Sequence, residues 1–159
     1  IGGVEELAKL TGARVYISDG EKELIHDTDA NLSSQYHNPK TVQPDVFLRD
    51  GETVEIAGMT IRCIQTPGHT EGSCCYYIEE TGEEEKGNAG KKPCPPILLS
   101  GDTLFEESVG RTDFPTGSMS ALVRSVREKL FILPDETLVY PGHGGMTQIG
   151  HEKQYNAMV

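Results

Sequence analysis

The sequence predicts a layered α/β fold in which side chains at strand ends gather along one edge of a sheet. Three observations point there. A helix-like stretch runs directly into a β-like one near the start, "VEELAKLTGARVYIS". A series of short apolar runs follows, punctuated by Gly-containing turns. Three of the apolar runs end on a tight corner that carries a His or an Asp. Helix-then-strand order with short, turn-bounded strands is the signature of packed α and β layers.

In chain order, Val4, Leu7, Ala8 and Leu10 stand at helical spacing and the stretch closes on Gly12, a helix stop signal. "RVYIS" reads as a short strand, and "EKELIHDTDANLSSQY" is polar and helical in part. "VFLR", "TVEI", "MTIRCIQT" and "SCCYYIEE" read as strands, with Asp50-Gly51 and Ala57-Gly58 suited to tight hairpins. Glu79 to Pro96 is charged, rich in Gly and Pro and without a period. It is expected to be an exposed, mobile hairpin extension between strands of one sheet rather than a linker between domains. "ILLSGD" is an apolar strand that stops at a Ser-Gly-Asp corner. "SMSALVRSVREKLFIL" is the clearest helix: Ser118 or Ser120 can cap it, and Leu122, Val126, Leu130 and Leu133 line one face. "TLVYPGHG" is a last strand that ends on a histidine-bearing turn. Residues 1–159 read as one domain without internal repeats.

Composition narrows the partners. Fourteen Lys and Arg against 25 Asp and Glu give a net charge of −11, which repels phosphate backbones and argues against nucleic acid. No apolar run approaches the roughly 20 residues of a membrane span, and no secretory signal is visible. Cys63, Cys74, Cys75 and Cys94 form no C-x-x-C pair, so they read as reduced thiols in a cytoplasmic protein.

The chemistry rests on His69, Asp102 and His143. Each follows a strand, and each histidine sits on a Pro-Gly turn. Taken singly, a loop histidine is ordinary surface and a Gly-Asp pair an ordinary turn. Taken together, two imidazoles and a carboxylate at one sheet edge suit a borderline metal ion such as zinc. Zn–N bonds are short, about 2.0–2.1 Å, so the ligands need rigid turns. His26, His37 and His151 lie in polar contexts and read as solvated surface.

"TPGHTEGS", "LLSGDTLF", "VGRTDFPTGS" and "VYPGHGGMTQIG" occur in this order and resemble the metallo-β-lactamase-fold hydrolases, in particular the glyoxalase II-like (hydroxyacylglutathione hydrolase-like) group. The resemblance covers nearly the whole chain. It implies an αββα sandwich with a binuclear metal centre. Its ligands come from an H-x-H-x-D-H motif, a G-H-T histidine, a bridging G-D-T aspartate and a G-H-G histidine. On that pattern His69 serves the first metal, Asp102 bridges both and is the key catalytic residue, and His143 serves the second. The metals implied are two zinc ions, with iron or manganese as alternatives. The H-x-H-x-D-H motif is absent here, and the family carries it just before the glycines that match Gly2-Gly3. The expectation is a sandwich truncated at its N-terminus, lacking four of seven ligands, inactive by itself and marginally folded.

For the intact protein the resemblance implies hydrolysis of a small-molecule acyl-thiol ester, or a related acyl ester, by a metal-activated hydroxide. Arg111 is a candidate contact for a substrate carboxylate, with a salt bridge to Asp113 as the equal alternative. The rival readings are an iron-dependent, sulfur dioxygenase-like oxidoreductase on the same fold and a non-catalytic fragment.

Overall fold

The computed structural model describes residues 2–79 and 94–159, so most of the extension expected between Glu79 and Pro96 lies outside the described residues. The chain divides into two compact units, Ile1–Asp50 and Gly51–Val159.

In the first unit, helix α1 (Val4–Thr11) ends on Gly12, whose N–H donates to the Ala8 carbonyl at 2.8 Å. Strand β1 (Tyr16–Ser18) pairs in parallel with β2 (Val46–Leu48). That pairing corrects the hairpin expected at Asp50-Gly51. The partner of β2 is β1, and the Gly51 N–H donates to the Cys63 carbonyl at 2.8 Å. The polar stretch between β1 and β2 winds into three short 3-10 turns, Asp19–Glu21, Leu24–His26 and Ser33–Tyr36, rather than one helix. The Asp27 carboxylate accepts the backbone N–H groups of Ala30 and Asp29, at 3.0 and 2.9 Å, which lowers its pKa. Such local side-chain-to-backbone bonding competes with helix propagation.

The second unit holds β3 (Thr53–Ile56), β4 (Met59–Gln65), β5 (Cys74–Ile78), β6 (Ile97–Gly101), a separate two-residue hairpin of β7 (Leu104–Phe105) and β8 (Ser108–Val109), then β9 (Leu138–Pro141) and β10 (Thr147–Gln148). Six of these form one sheet in the order β10-β9-β6-β5-β4-β3. The β3–β4 turn, Ala57-Gly58, has positive φ at both residues, 52° and 77°, the twist that joins antiparallel strands tightly. Strands β5 and β6 pair antiparallel, with Ile78 opposite Ile97.

Helix α2 (Met119–Ser125) is capped by Ser118, whose hydroxyl accepts the Ala121 N–H, and continues as a wider π-type turn, Val126–Leu130. Leu122, Val126 and Leu130 are fully buried, as the helical spacing requires. They form one core with Cys75, Tyr77, Leu98 and Val139 from the sheet and with Ile149 from helix α3 (Ile149–Tyr155). Cys75 faces this core while its neighbours Cys74 and Tyr76 are only partly covered, the alternation a strand imposes.

Sheet direction places the site. Strand β5 is antiparallel to both β4 and β6, and β6 is parallel to β9. Strands β4, β6 and β9 therefore run the same way and their C-terminal ends share one edge. His69, Asp102 and His143 each follow one of those ends.

Candidate metal centre

His69 leaves β4 through a turn closed by backbone hydrogen bonds from Thr66 N–H to the Ser73 carbonyl, 2.7 Å, and from Gly68 N–H to the Thr70 carbonyl, 2.9 Å. Its Nδ1 lies 2.8 Å from the Arg111 carbonyl oxygen. A carbonyl only accepts, so Nδ1 carries a proton and the neutral ring offers its lone pair at Nε2. Anchoring one ring nitrogen in this way is how proteins aim the other at a metal. The Phe114 ring packs edge-on against the imidazole, with centroids 5.0 Å apart.

Asp102 follows β6 where the register with β9 shifts between Leu99 and Gly101. His143 follows β9, and the Gly142 N–H before it donates to the Gly101 carbonyl at 2.8 Å, tying the two corners together. The Phe105 ring lies 6.2 Å from the His143 ring.

The three side chains meet at one atom. Asp102 Oδ2 is 3.6 Å from His69 Nε2 and 3.5 Å from His143 Nε2. Both separations exceed the roughly 3.2 Å limit of a good N–H···O hydrogen bond. Both match the separation of roughly 3.4 Å between two ligands of one tetrahedral zinc, as bond lengths near 2.0–2.1 Å dictate. Among the described residues no three His, Cys, Asp or Glu side chains are disposed around a single ion. The arrangement is two His–Asp pairs that share an oxygen. In donor type, two imidazoles and a carboxylate suit a metal such as zinc. In number they would give each of two ions one imidazole and a shared carboxylate, where even open catalytic zinc sites use three protein ligands.

Arg111 sits beside this cluster. Its backbone carbonyl holds His69, and its guanidinium forms a bidentate pair with Asp113, both hydrogen bonds 2.6 Å long. That fork holds the Asp113 carboxyl down at about 2. The guanidinium carbon also stands 4.6 Å from the Phe114 ring centroid. His26 and His37 lie in the polar turns of the first unit, and the His151 ring pairs with Glu107 at 3.2 Å. A surface cavity of about 330 Å³ is lined by residues 2–41, Lys9 and Lys40 among them, and by none of the converging side chains.

Two glycines let the backbone close on the site. A Cβ on Gly142 would overlap the Asp102 carboxylate, and one on Gly110 would overlap the Asp102 carbonyl. The Pro-Gly turn signalled Gly142, whereas nothing in "VGRTDF" marks Gly110 as a close-approach position. The buried Thr66 and Thr103 also escaped notice, although both flank residues that the motifs single out.

No family profile matches the chain. Individual proteins do. The uncharacterized protein Rv2581c of Mycobacterium tuberculosis is 40% identical over 165 residues, which cover 98% of this chain and 69% of that protein. The probable metallo-hydrolase YqgX of Bacillus subtilis is 31% identical over 158 residues, 98% of this chain and 68% of its own length. The crystal structure of BLEG-1, a B3 metallo-β-lactamase, superposes with a TM-score of 0.82 at 31% identity, covering 99% of this chain and 70% of that one. This chain belongs to the metallo-β-lactamase-fold hydrolases.

Within this family, the hydroxyacylglutathione hydrolase GloC of Haemophilus influenzae is 29% identical over 162 residues, 98% of the chain and 68% of GloC. TTHA1623, solved in a di-iron-bound form, gives a TM-score of 0.76 at 30% identity, covering 100% of this chain and 71% of that one. ETHE1 from Myxococcus xanthus gives 0.71 at 29%, covering 98% and 55%. The chain spans about two thirds of Rv2581c and YqgX, and 44% of an uncharacterized Mycobacterium leprae protein that is 41% identical over 108 residues. No helix among the described residues is long and apolar enough to cross a membrane.

Proposed function

We propose that the chain carries part of a two-metal hydrolytic centre that cleaves a thioester of the hydroxyacylglutathione type. The observation that carries this reading is Asp102 Oδ2, faced by two imidazole nitrogens at 3.6 and 3.5 Å on opposite corners of one sheet edge. His69 would hold one ion, His143 the other, and Asp102 would bridge them, with zinc the metal that best suits two imidazoles and a carboxylate. Bound there, two divalent ions supply an acidified water and a Lewis acid for an acyl carbonyl.

The chain's own residues then have definite tasks. The Arg111 carbonyl fixes the His69 tautomer, and the Phe114 edge fixes the tilt of the ring. Asp102 would offset the charge of both ions, so its loss would disturb both at once. The Arg111 guanidinium is the anion contact for a substrate carboxylate, which competes with Asp113 for the same fork. The likeness to GloC supports the thioester class.

One observation favours a second reading, an iron-dependent oxidoreductase on this fold: a relative at 30% identity was solved with two irons bound.

Metal analysis and a thioester assay on the protein that contains this chain separate the two. Zinc together with cleavage of a hydroxyacyl-glutathione thioester is the expected result, and Asp102→Ala is expected to lower kcat/KM by more than about 100-fold, beyond what changes around a metal's ligands cost. Full turnover by Asp102→Ala refutes the bridging role. Iron with oxygen consumption and no thioester cleavage favours the oxidoreductase.

A further inference from the structure

Beneath the converging side chains lies a buried run of hydroxyl and thiol groups. Thr66 and Thr103 are 0% and 1% exposed, and their Oγ1 atoms stand 2.8 Å apart. Thr66 Oγ1 also lies 3.5 Å from Cys75 Sγ, and the Cys75 S–H donates to the Ser100 carbonyl at 3.6 Å. Burial pushes the Cys75 thiol up to about 12, so it keeps its proton. The run satisfies every proton, for example with Thr103 O–H to Thr66, Thr66 O–H to Cys75, and Cys75 S–H to the Ser100 carbonyl. Chained donors of this kind strengthen one another where water is excluded.

The position of this run matters more than its composition. Thr66 opens the turn that carries His69, and Thr103 is bonded directly to Asp102. Strands β4 and β6 are not neighbours, since β5 lies between them. No ladder hydrogen bond can therefore tie the His69 corner to the Asp102 corner. The hydroxyl bridge reaches over Cys75 of β5 and does so directly. Downstream, the Gly110 N–H donates to the Thr103 carbonyl at 3.3 Å, and the Arg111 carbonyl returns to the His69 ring. The two corners thus belong to one closed loop of contacts.

We propose that the buried Thr66–Thr103 hydroxyl bridge is a positioning pair that sets the separation of His69 Nε2 and Asp102 Oδ2, and with it the metal affinity of the site. This rests on the metal-centre reading above. The length of the bridge gives the argument its force. Two oxygens sharing a proton approach to 2.8 Å, whereas a valine methyl set against the remaining threonine oxygen settles at about 3.3–3.6 Å. A valine in place of either threonine keeps the branched shape but removes the shared proton and forces the corners apart by about 0.5–0.8 Å, a displacement that metal ligands with short, fixed bond lengths tolerate poorly.

Thr103→Val and Thr103→Ser test it, with Thr66→Val approaching the same bridge from the other side should the first variant fold poorly. Two readouts are needed: zinc affinity by competition with a chromophoric chelator, and the metal-free imidazole tautomer of His69 by nitrogen-15 NMR. Thr103→Val is expected to weaken zinc binding by about 10- to 100-fold and to convert the Nδ1–H tautomer of His69 into a mixture. Thr103→Ser is expected to keep both properties even where its melting temperature falls. A purely structural role would lower the melting temperature and leave the tautomer alone. The proposal is overturned when the valine variants keep the wild-type affinity and tautomer, or when serine loses as much as valine. A wild-type protein that takes no zinc refutes the metal reading instead, and the tautomer then decides the bridge.

Discussion

Gly142→Ala isolates the link between backbone packing and the metal donors. Gly142 lies outside the positive-φ region, so alanine meets no torsional penalty there. The added methyl would overlap Asp102 Oδ1 and stand 3.3 and 3.4 Å from the Gly101 carbonyl carbon and oxygen. Either the carboxylate or the strand must move. Strand β9 is tied to the Gly101 corner by the 2.8 Å Gly142 hydrogen bond, while the Asp102 side chain is 30% exposed and has torsions of its own. The carboxylate therefore yields, by about 1 Å, a shift large enough to cost a reacting or coordinating group about 100-fold. Because the side chain turns toward water, the stability cost falls at the low end of the overpacking range, about 1 kcal/mol. For a chain of this size that is about 2–4 °C in melting temperature. Thermal melting and zinc titration on the same sample read both quantities. Gly145→Ala is the control, since its methyl would meet only the end of the Glu106 side chain, at 3.4 Å. A Gly142→Ala protein that binds zinc like the wild type, or that loses several times the predicted stability with zinc affinity intact, refutes the reasoning.

Two further outcomes follow from the packing and charge. Leu122→Ala removes a fully buried side chain from the centre of the core and is expected to cost about 2–5 kcal/mol in denaturant unfolding; a cost below 1 kcal/mol would show that α2 is not the lid of this core. The Arg111 fork lowers the Asp113 pKa, so the pair is intact above the ordinary value of 3.8 and is lost as pH falls toward about 2. Carbon-13 NMR of the Asp113 carboxyl is expected to show a midpoint near 2 that moves back up in Arg111→Ala, and an unchanged midpoint would dissolve the pair.

The elements with a clean period were legible in the sequence. Leu122, Val126 and Leu130 announced the second helix, although not its widening into a π-type turn or its end before Leu133, because those depend on which carbonyl each N–H finds. The Ala57-Gly58 hairpin was legible for a local reason: two residues with positive φ fix the turn without outside help. Asp50-Gly51 carried the same kind of signal and misled, because strand pairing is not local. β2 finds β1, thirty residues back in the sequence, and no turn motif records that. The three donors were legible by type and by their place at strand ends. What lay beyond reach was the spacing between them. The Thr66–Thr103 contact and the close approach at Gly110 join residues that are remote in sequence and chemically unremarkable in isolation.

That division has a physical basis that bears on how the site forms. A metal site whose ligands lie within one short segment can assemble on a disordered chain, since the ion organises the loop. Donors at 69, 102 and 143 cannot, because each stands on a separate strand and two of those strands are separated by a third. Their convergence requires β4, β6 and β9 to be aligned first, with β5 threaded between β4 and β6. Metal binding at the proposed site would then select the folded sheet and stabilise it by mass action. Metal affinity at the proposed site would consequently measure the register of the sheet edge as much as the identity of the ligands. Uncharged residues such as Gly142 and Thr103, both set against Asp102, would then belong to the site as fully as the donors themselves.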